Sequence, residues 1–167
     1  MQFPAIILFC VLSAIVYGIL HDLVTAHVCV EYFTIGHPPV FDTNDPVLLA
    51  LGWGFLATWW VGVILGMLLA LSAQMGSWPK RNLKSLIRPI LTLFVISYIA
   101  AMMAGITGYV LGINGIVFLI NPFDTLIAPN RHARFLFDMW AHLTSYSVGA
   151  LGGLIVCIRV AISRQRM

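Results

Sequence analysis

At 167 residues the chain is 60% hydrophobic and only 9% charged, against about 25% charged residues in a soluble domain. A water-soluble fold of this length has too little interior to hide so much apolar side chain. The formal net charge of +3 collects at a few membrane-flanking positions, where it reads as a topology signal, and this argues against nucleic-acid binding.

The first apolar run predicts a membrane helix over about residues 4–31, with Pro4 near its start and a polar continuation from His21 to Glu31. It has no Lys or Arg in front, so a retained helix is expected rather than a cleaved signal, which carries a basic leader. The loop Tyr32–Pro46 is rich in turn formers, and His37-Pro38-Pro39 should be extended because proline pushes its predecessor out of the helical region. A second span is expected over about 47–73, carrying Trp53, Trp59, Trp60, Gly62 and Gly66. A third is expected over about 89–111, starting at Pro89 and carrying Gly108 and Gly112. The next apolar run, Ile116–Ile120, is expected as a short interfacial helix. The fourth span covers about 133–158 and carries Gly149, Gly152 and Gly153 in its inner half. Each run meets the roughly 20 residues a helix needs to cross about 30 Å of hydrocarbon. The runs are continuous, without the alternation of a barrel strand. The fold class is therefore all-α: an integral membrane bundle of four transmembrane helices, forming one membrane domain over 1–167. The glycines suit close helix approach in lipid. Cys10, Cys29 and Cys157 are odd in number and scattered, which implies no disulfide framework.

Lys80, Arg81, Lys84 and Arg88 lie between the second and third spans, and Arg159, Arg164 and Arg166 come after the fourth. The positive-inside rule then places that loop and both termini in the cytoplasm. All six carboxylates (Asp22, Glu31, Asp42, Asp45, Asp124, Asp138) and all five histidines (His21, His27, His37, His132, His142) fall towards the opposite side. Ionisable groups persist inside lipid when they pair, bind or carry something.

On the fourth span Arg131, Arg134, Asp138, His142, Ser145 and Gly149 share a stripe about 80° wide, with Tyr146 at its edge. On the first, His21, Asp22, Thr25 and Cys29 share an arc of roughly 100°, with His27 and Glu31 beside it. His21 is 17 residues beyond Pro4 and His142 is 17 residues before Arg159, so both sit about 25 Å above the inner boundary. By the same count Thr25 is level with Asp138, and Glu31 with His132. The first and fourth spans are thus expected to meet beneath the outer face. Imidazoles and carboxylates at one depth on facing helices are how bundle cores hold transition metals such as Zn, Fe, Cu or Mn. The alternatives are a proton or cation channel or transporter subunit using the same residues, and a structural or accessory subunit in which the cluster only locks two helices. The cytoplasmic halves of both spans lack matching charges, which favours an outward site over a pore.

The stretches His21-Asp22-Leu-Val-Thr25, Glu31-Tyr32-Phe33-Thr34-Ile-Gly-His-Pro-Pro, Ala57-Thr58-Trp59-Trp60-Val-Gly62 and His142-Leu-Thr-Ser145-Tyr146 resemble a family of small bacterial inner-membrane proteins to which no activity is attached. The resemblance covers most of the chain and implies a bacterial inner-membrane location. It matches at His21, Asp22, Thr25, Glu31, Tyr32, His142, Ser145 and Tyr146, and His27 lies outside it. Primary metal ligands are therefore expected at His21, Asp22, Glu31 and His142, with Asp138 ligating or fixing His142 and His27 secondary. Arg134, Tyr146, Ser145 and Thr25 are the expected polar partners of a substrate or of the acids. Trp53 and Trp59 are candidates to seat an apolar substrate such as a quinone or lipid. The expected partners are the lipid bilayer and a homo-oligomer or membrane complex, with no nucleic acid.

Overall fold

The computed structural model describes residues 1–165; Arg166, one of the basic residues counted for the expected orientation, lies outside them. The described chain is helical throughout, without strands. Helices α1 (Gln2–Val28), α2 (Val30–Thr34), α3 (Pro46–Leu56), α4 (Trp59–Gln74), α5 (Leu83–Ile113), α6 (Phe123–Leu126) and α7 (His132–Gln165) occur in that order, with one 3-10 turn at Pro129–Arg131. Four stretches, Gln2–Val28, Pro46–Gln74, Leu83–Ile113 and Pro129–Gln165, are long and apolar enough to cross a membrane. Leu8, Leu12, Val16 and Leu20 stand 53–59% exposed along one edge of α1, a stripe at i, i+4 spacing that suits contact with lipid chains.

Local chemistry moves several expected boundaries. The first span does not stay regular to Glu31. It breaks at Cys29, which is extended at φ −149° and ψ 94°, and α2 restarts beyond it. The second span is interrupted between Leu56 and Trp59, where the Thr58 hydroxyl donates back to the Gly54 carbonyl. Such back-bonding bends helices. At the start of α3, the Asp45 carboxylate accepts from the backbone of Val47 and Leu48, both at 2.9 Å, and Pro46 comes next at a position that needs no donor. The third span starts at Leu83 rather than Pro89. Asn82 caps it by accepting from the Ser85 amide at 3.1 Å, so Pro89 sits inside α5. Residues Ile116–Ile120 form no helix; the short helix of that loop is Phe123–Leu126.

Two tight pairings organise the bundle. Helix α1 lies against α3 and α4, and a Cβ added to Gly18 would stand 2.5 Å from the Gly54 carbonyl oxygen. Helix α5 lies against α7, where a Cβ on Gly108 would stand 2.8 Å from the Leu136 carbonyl oxygen. The pairs join at the end that holds both chain termini through an apolar cluster of Ile6, Cys10, Leu69, Ile90, Cys157 and neighbours. Arg164 closes this end. It is 2% exposed and donates to the carbonyls of Ser72, Met75, Trp78 and Pro79 at 2.6, 2.7, 3.0 and 2.8 Å. The end of α4 therefore has the donors that a helix C-terminus lacks.

Candidate functional site

The site lies between the C-terminal half of α1 and the N-terminal half of α7. Tyr17, His21 and Thr25 recur at i, i+4 on α1, so they share its inward face. His21 is 3% exposed, Asp22 5% and His142 7%. One ligand atom from each of these three residues lies within 4.8 Å of the others. The His21 and His142 rings meet edge to face, 4.6 Å between centroids. His142 Nε2 stands 3.3 Å from Asp22 Oδ1.

The hydrogen bonds set the state of His142. Its Nδ1 donates to the Asp138 backbone carbonyl at 2.7 Å, and a carbonyl can only accept. In its neutral form the ring therefore carries its proton on Nδ1 and turns the Nε2 lone pair towards Asp22 and His21. That is the tautomer a metal-ligating histidine adopts when its other nitrogen is held by a carbonyl. His21 is the complement: both of its ring nitrogens are buried and have no hydrogen-bond partner. Two imidazoles and one carboxylate form a donor set suited to Zn, Fe, Mn or Cu. Donors around an ion at about 2.0–2.2 Å stand roughly 3–4 Å apart, so small side-chain rotations would close this set.

The other expected residues go elsewhere. Glu31 is not in the ligand group: the break at Cys29 carries it to Arg131, which donates to its two carboxylate oxygens at 2.9 and 2.8 Å. Burial raises the Glu31 pKa, but the bonds from Arg131 outweigh it and hold the carboxyl below its ordinary 4.5. The Cys29 thiol adds a third donor at 3.3 Å. Asp138 is fully buried, with both carboxylate oxygens lacking a partner, yet its side chain stands outside the ligand group. It orients His142 through its backbone. His27 is exposed and donates from Nδ1 to the Leu23 carbonyl at 2.6 Å. Arg134 is exposed, and the arginine that pairs with Glu31 is Arg131. Thr25 donates to the His21 carbonyl at 3.3 Å, and Ser145 shares a 2.7 Å hydrogen bond with the Tyr17 hydroxyl.

Next to the side chains of His21, Asp22 and His142 a cavity of about 330 Å³ runs between α1, α4, α5 and α7. Tyr146 lines it, as do Trp53 and Trp60; Trp59 does not. Three further wall residues, Tyr17, Ser97 and His37, lie outside the set expected from the sequence. Tyr17 had a signal, since it lies one turn before His21 on the same face. Ser97, 1% exposed with an unpartnered hydroxyl, had none in its apolar surroundings. His37 reaches the cavity because its loop folds back: its ring lies 4.6 Å from Trp53, and Nδ1 donates to the Tyr32 carbonyl at 2.8 Å. Burial lowers the His37 pKa below its ordinary 6.5, which keeps the ring neutral at pH 7. No protein-family model, curated protein or solved structure matches the chain.

Proposed function

We propose that this chain is a multi-pass protein of a bacterial inner membrane that binds a transition-metal ion at His21, Asp22 and His142, beneath the outer face, with both termini in the cytoplasm. The observation that carries the reading is the pairing of two buried histidines with available nitrogen. His21 has no hydrogen-bond partner for either ring nitrogen, and His142 is held in the tautomer that frees Nε2. A buried imidazole without partners costs about 1–3 kcal/mol, a cost that coordination would offset. The orientation rests on the basic residues Lys80, Arg81, Lys84 and Arg88 and the positive-inside rule. The bacterial location rests on the sequence resemblance. A metal ion in this position would polarise a bound oxygen or lower the pKa of a bound water. The cavity walls further in, Leu65, Leu69, Ile90 and Val156, are apolar, which supports an outward site over a proton path.

The test is elemental analysis of the purified protein in detergent, wild type against His21→Ala/His142→Ala. Wild type is expected to hold close to one equivalent of one transition metal, and the double variant less than a tenth of that with unchanged helical circular dichroism. Wild type that stays metal-free after exposure to Zn, Fe, Cu and Mn would overturn the reading.

A further inference from the structure

The cavity beneath the three candidate ligands has walls, an entrance and a polar end that together select an occupant. Trp60 and Ile64 on α4, and Tyr146 and Ala150 on α7, all line it, and all four are exposed, Trp60 and Tyr146 by 47% and Ile64 by 52%. The cavity therefore opens sideways between α4 and α7. Tyr146 and Ala150 lie four and eight residues inward of His142, about 6 and 12 Å deeper in the membrane. An opening at that depth faces lipid chains, not water.

The lining also sets the charge of the occupant. Among the described residues no Lys or Arg lines the cavity, and Asp22 does. Apart from a metal ion held by His21, Asp22 and His142, no cation on the walls would pair with a carboxylate or phosphate head. An anionic head away from that ion would therefore be costly in a low-dielectric site. A neutral oxygen-bearing head fits instead. The polar atoms available to it come from separate walls: the Ser97 hydroxyl on α5 lacks a partner, His21 on α1 keeps a second ring nitrogen beyond the one a metal would take, and Tyr17 and Ser145 add hydroxyls. Around them stand aromatic rings, with Tyr17 and Phe94 stacked at 5.2 Å and Trp53 and Tyr146 beside the cavity. Flat walls with polar atoms on more than one side suit a ring that carries oxygens at separated positions. A volume of about 330 Å³ is near the lower end of small-ligand sites, about 300–1,000 Å³. It takes a ring and the start of a tail, and the rest of the tail would pass through the side opening.

We infer that the cavity is a binding site for a membrane-dissolved quinone-class compound, its ring next to His21 and Ser97 and its tail leaving between α4 and α7. The inference rests on the reading of His21, Asp22 and His142 as the functional centre, and adds the class of molecule that centre faces.

Gly149 makes the test selective. It lines the cavity, and a Cβ placed on it meets nothing within 4 Å, so the side chain of Gly149→Leu starts into open cavity space. Binding of decylubiquinone to the purified protein in nanodiscs is monitored by tryptophan quenching, with palmitate as comparator and metal content measured on the same samples. The expected result is saturable binding of one quinone per chain, unaffected by palmitate. Gly149→Leu should weaken it at least tenfold while keeping wild-type metal content and melting temperature. Metal-loaded wild type without saturable quinone binding overturns this inference and leaves the metal site standing. Quinone binding by metal-free wild type does the reverse. Equal binding by Gly149→Leu, or displacement by palmitate, also overturns it.

Discussion

At the scale of single residues, the environment of each carboxylate decides its part, and three of them end in three different situations. Asp22 faces an imidazole, Glu31 is gripped by a guanidinium, and Asp138 has no side-chain partner. Replacing Asp138 with Leu removes an unsatisfied buried group of similar shape, so a gain of about 1–3 kcal/mol is expected. Thermal unfolding in detergent should show the gain with metal content unchanged, and loss of the metal would return Asp138 to the ligand set. Glu31 makes a pH prediction. Its native pKa lies below its ordinary 4.5, so its contribution is complete above that value and disappears as pH falls through the lowered native one. The two side chains are 25% and 24% exposed, so screening limits the pair to about 1 kcal/mol. Glu31→Gln should melt below wild type at pH 7 and level with it near pH 3. A gap that persists at low pH would mean the loss comes from packing instead.

At the scale of helices, close backbone approach governs where side chains can meet. The contact of Gly18 with Gly54 draws α1 against α3, and the helix breaks at Cys29 and Ala57–Thr58 re-aim α2 and α4 beyond them. A methyl on Gly54 would stand 2.6 Å from the Ile19 backbone, and backbone cannot swing aside as a side chain does. Gly54→Ala should therefore cost about 1–3 kcal/mol or more. Gly149→Ala, placed in open space, should change stability by less than about 0.5 kcal/mol. Melting curves for the two variants check the contrast, and similar losses in both would refute the packing assigned to α1 and α3.

At the scale of the whole molecule, two glycine-packed pairs leave a looser seam between them, and that seam holds the cavity. Its walls run from His21, Asp22 and His142 at one end to Leu69, Ile90 and Cys157 at the other, and Arg164 separately ties the end of α4 to α7. Arg164→Met would strip the Ser72, Met75, Trp78 and Pro79 carbonyls of a shared charged donor, a loss of about 2–3 kcal/mol. Scanning calorimetry or denaturant titration in detergent should register it without any fall in metal content. An unchanged midpoint would show that water or lipid head groups satisfy those carbonyls equally well.

The spans were legible because the hydrophobic signal of a membrane helix is long, continuous and carried by the chain itself. The meeting of His21 and Asp22 with His142 was legible too, since helical rise and periodicity turn residue counts into depth and face. Counting fails where the helix stops being regular. The break at Cys29 sends Glu31 to Arg131, and the Asn82 cap moves the start of α5 ahead of Pro89. Sequence alone therefore determined the helical class, the four apolar spans and the two faces that carry the polar residues, because each depends on local pattern. Only the tertiary structure decided which acid stands beside the histidines, that His37 and Ser97 face the same cavity as Tyr17, and that the cavity opens sideways between α4 and α7. Those outcomes depend on how separate helices approach one another, through glycine contacts and backbone breaks far apart along the chain.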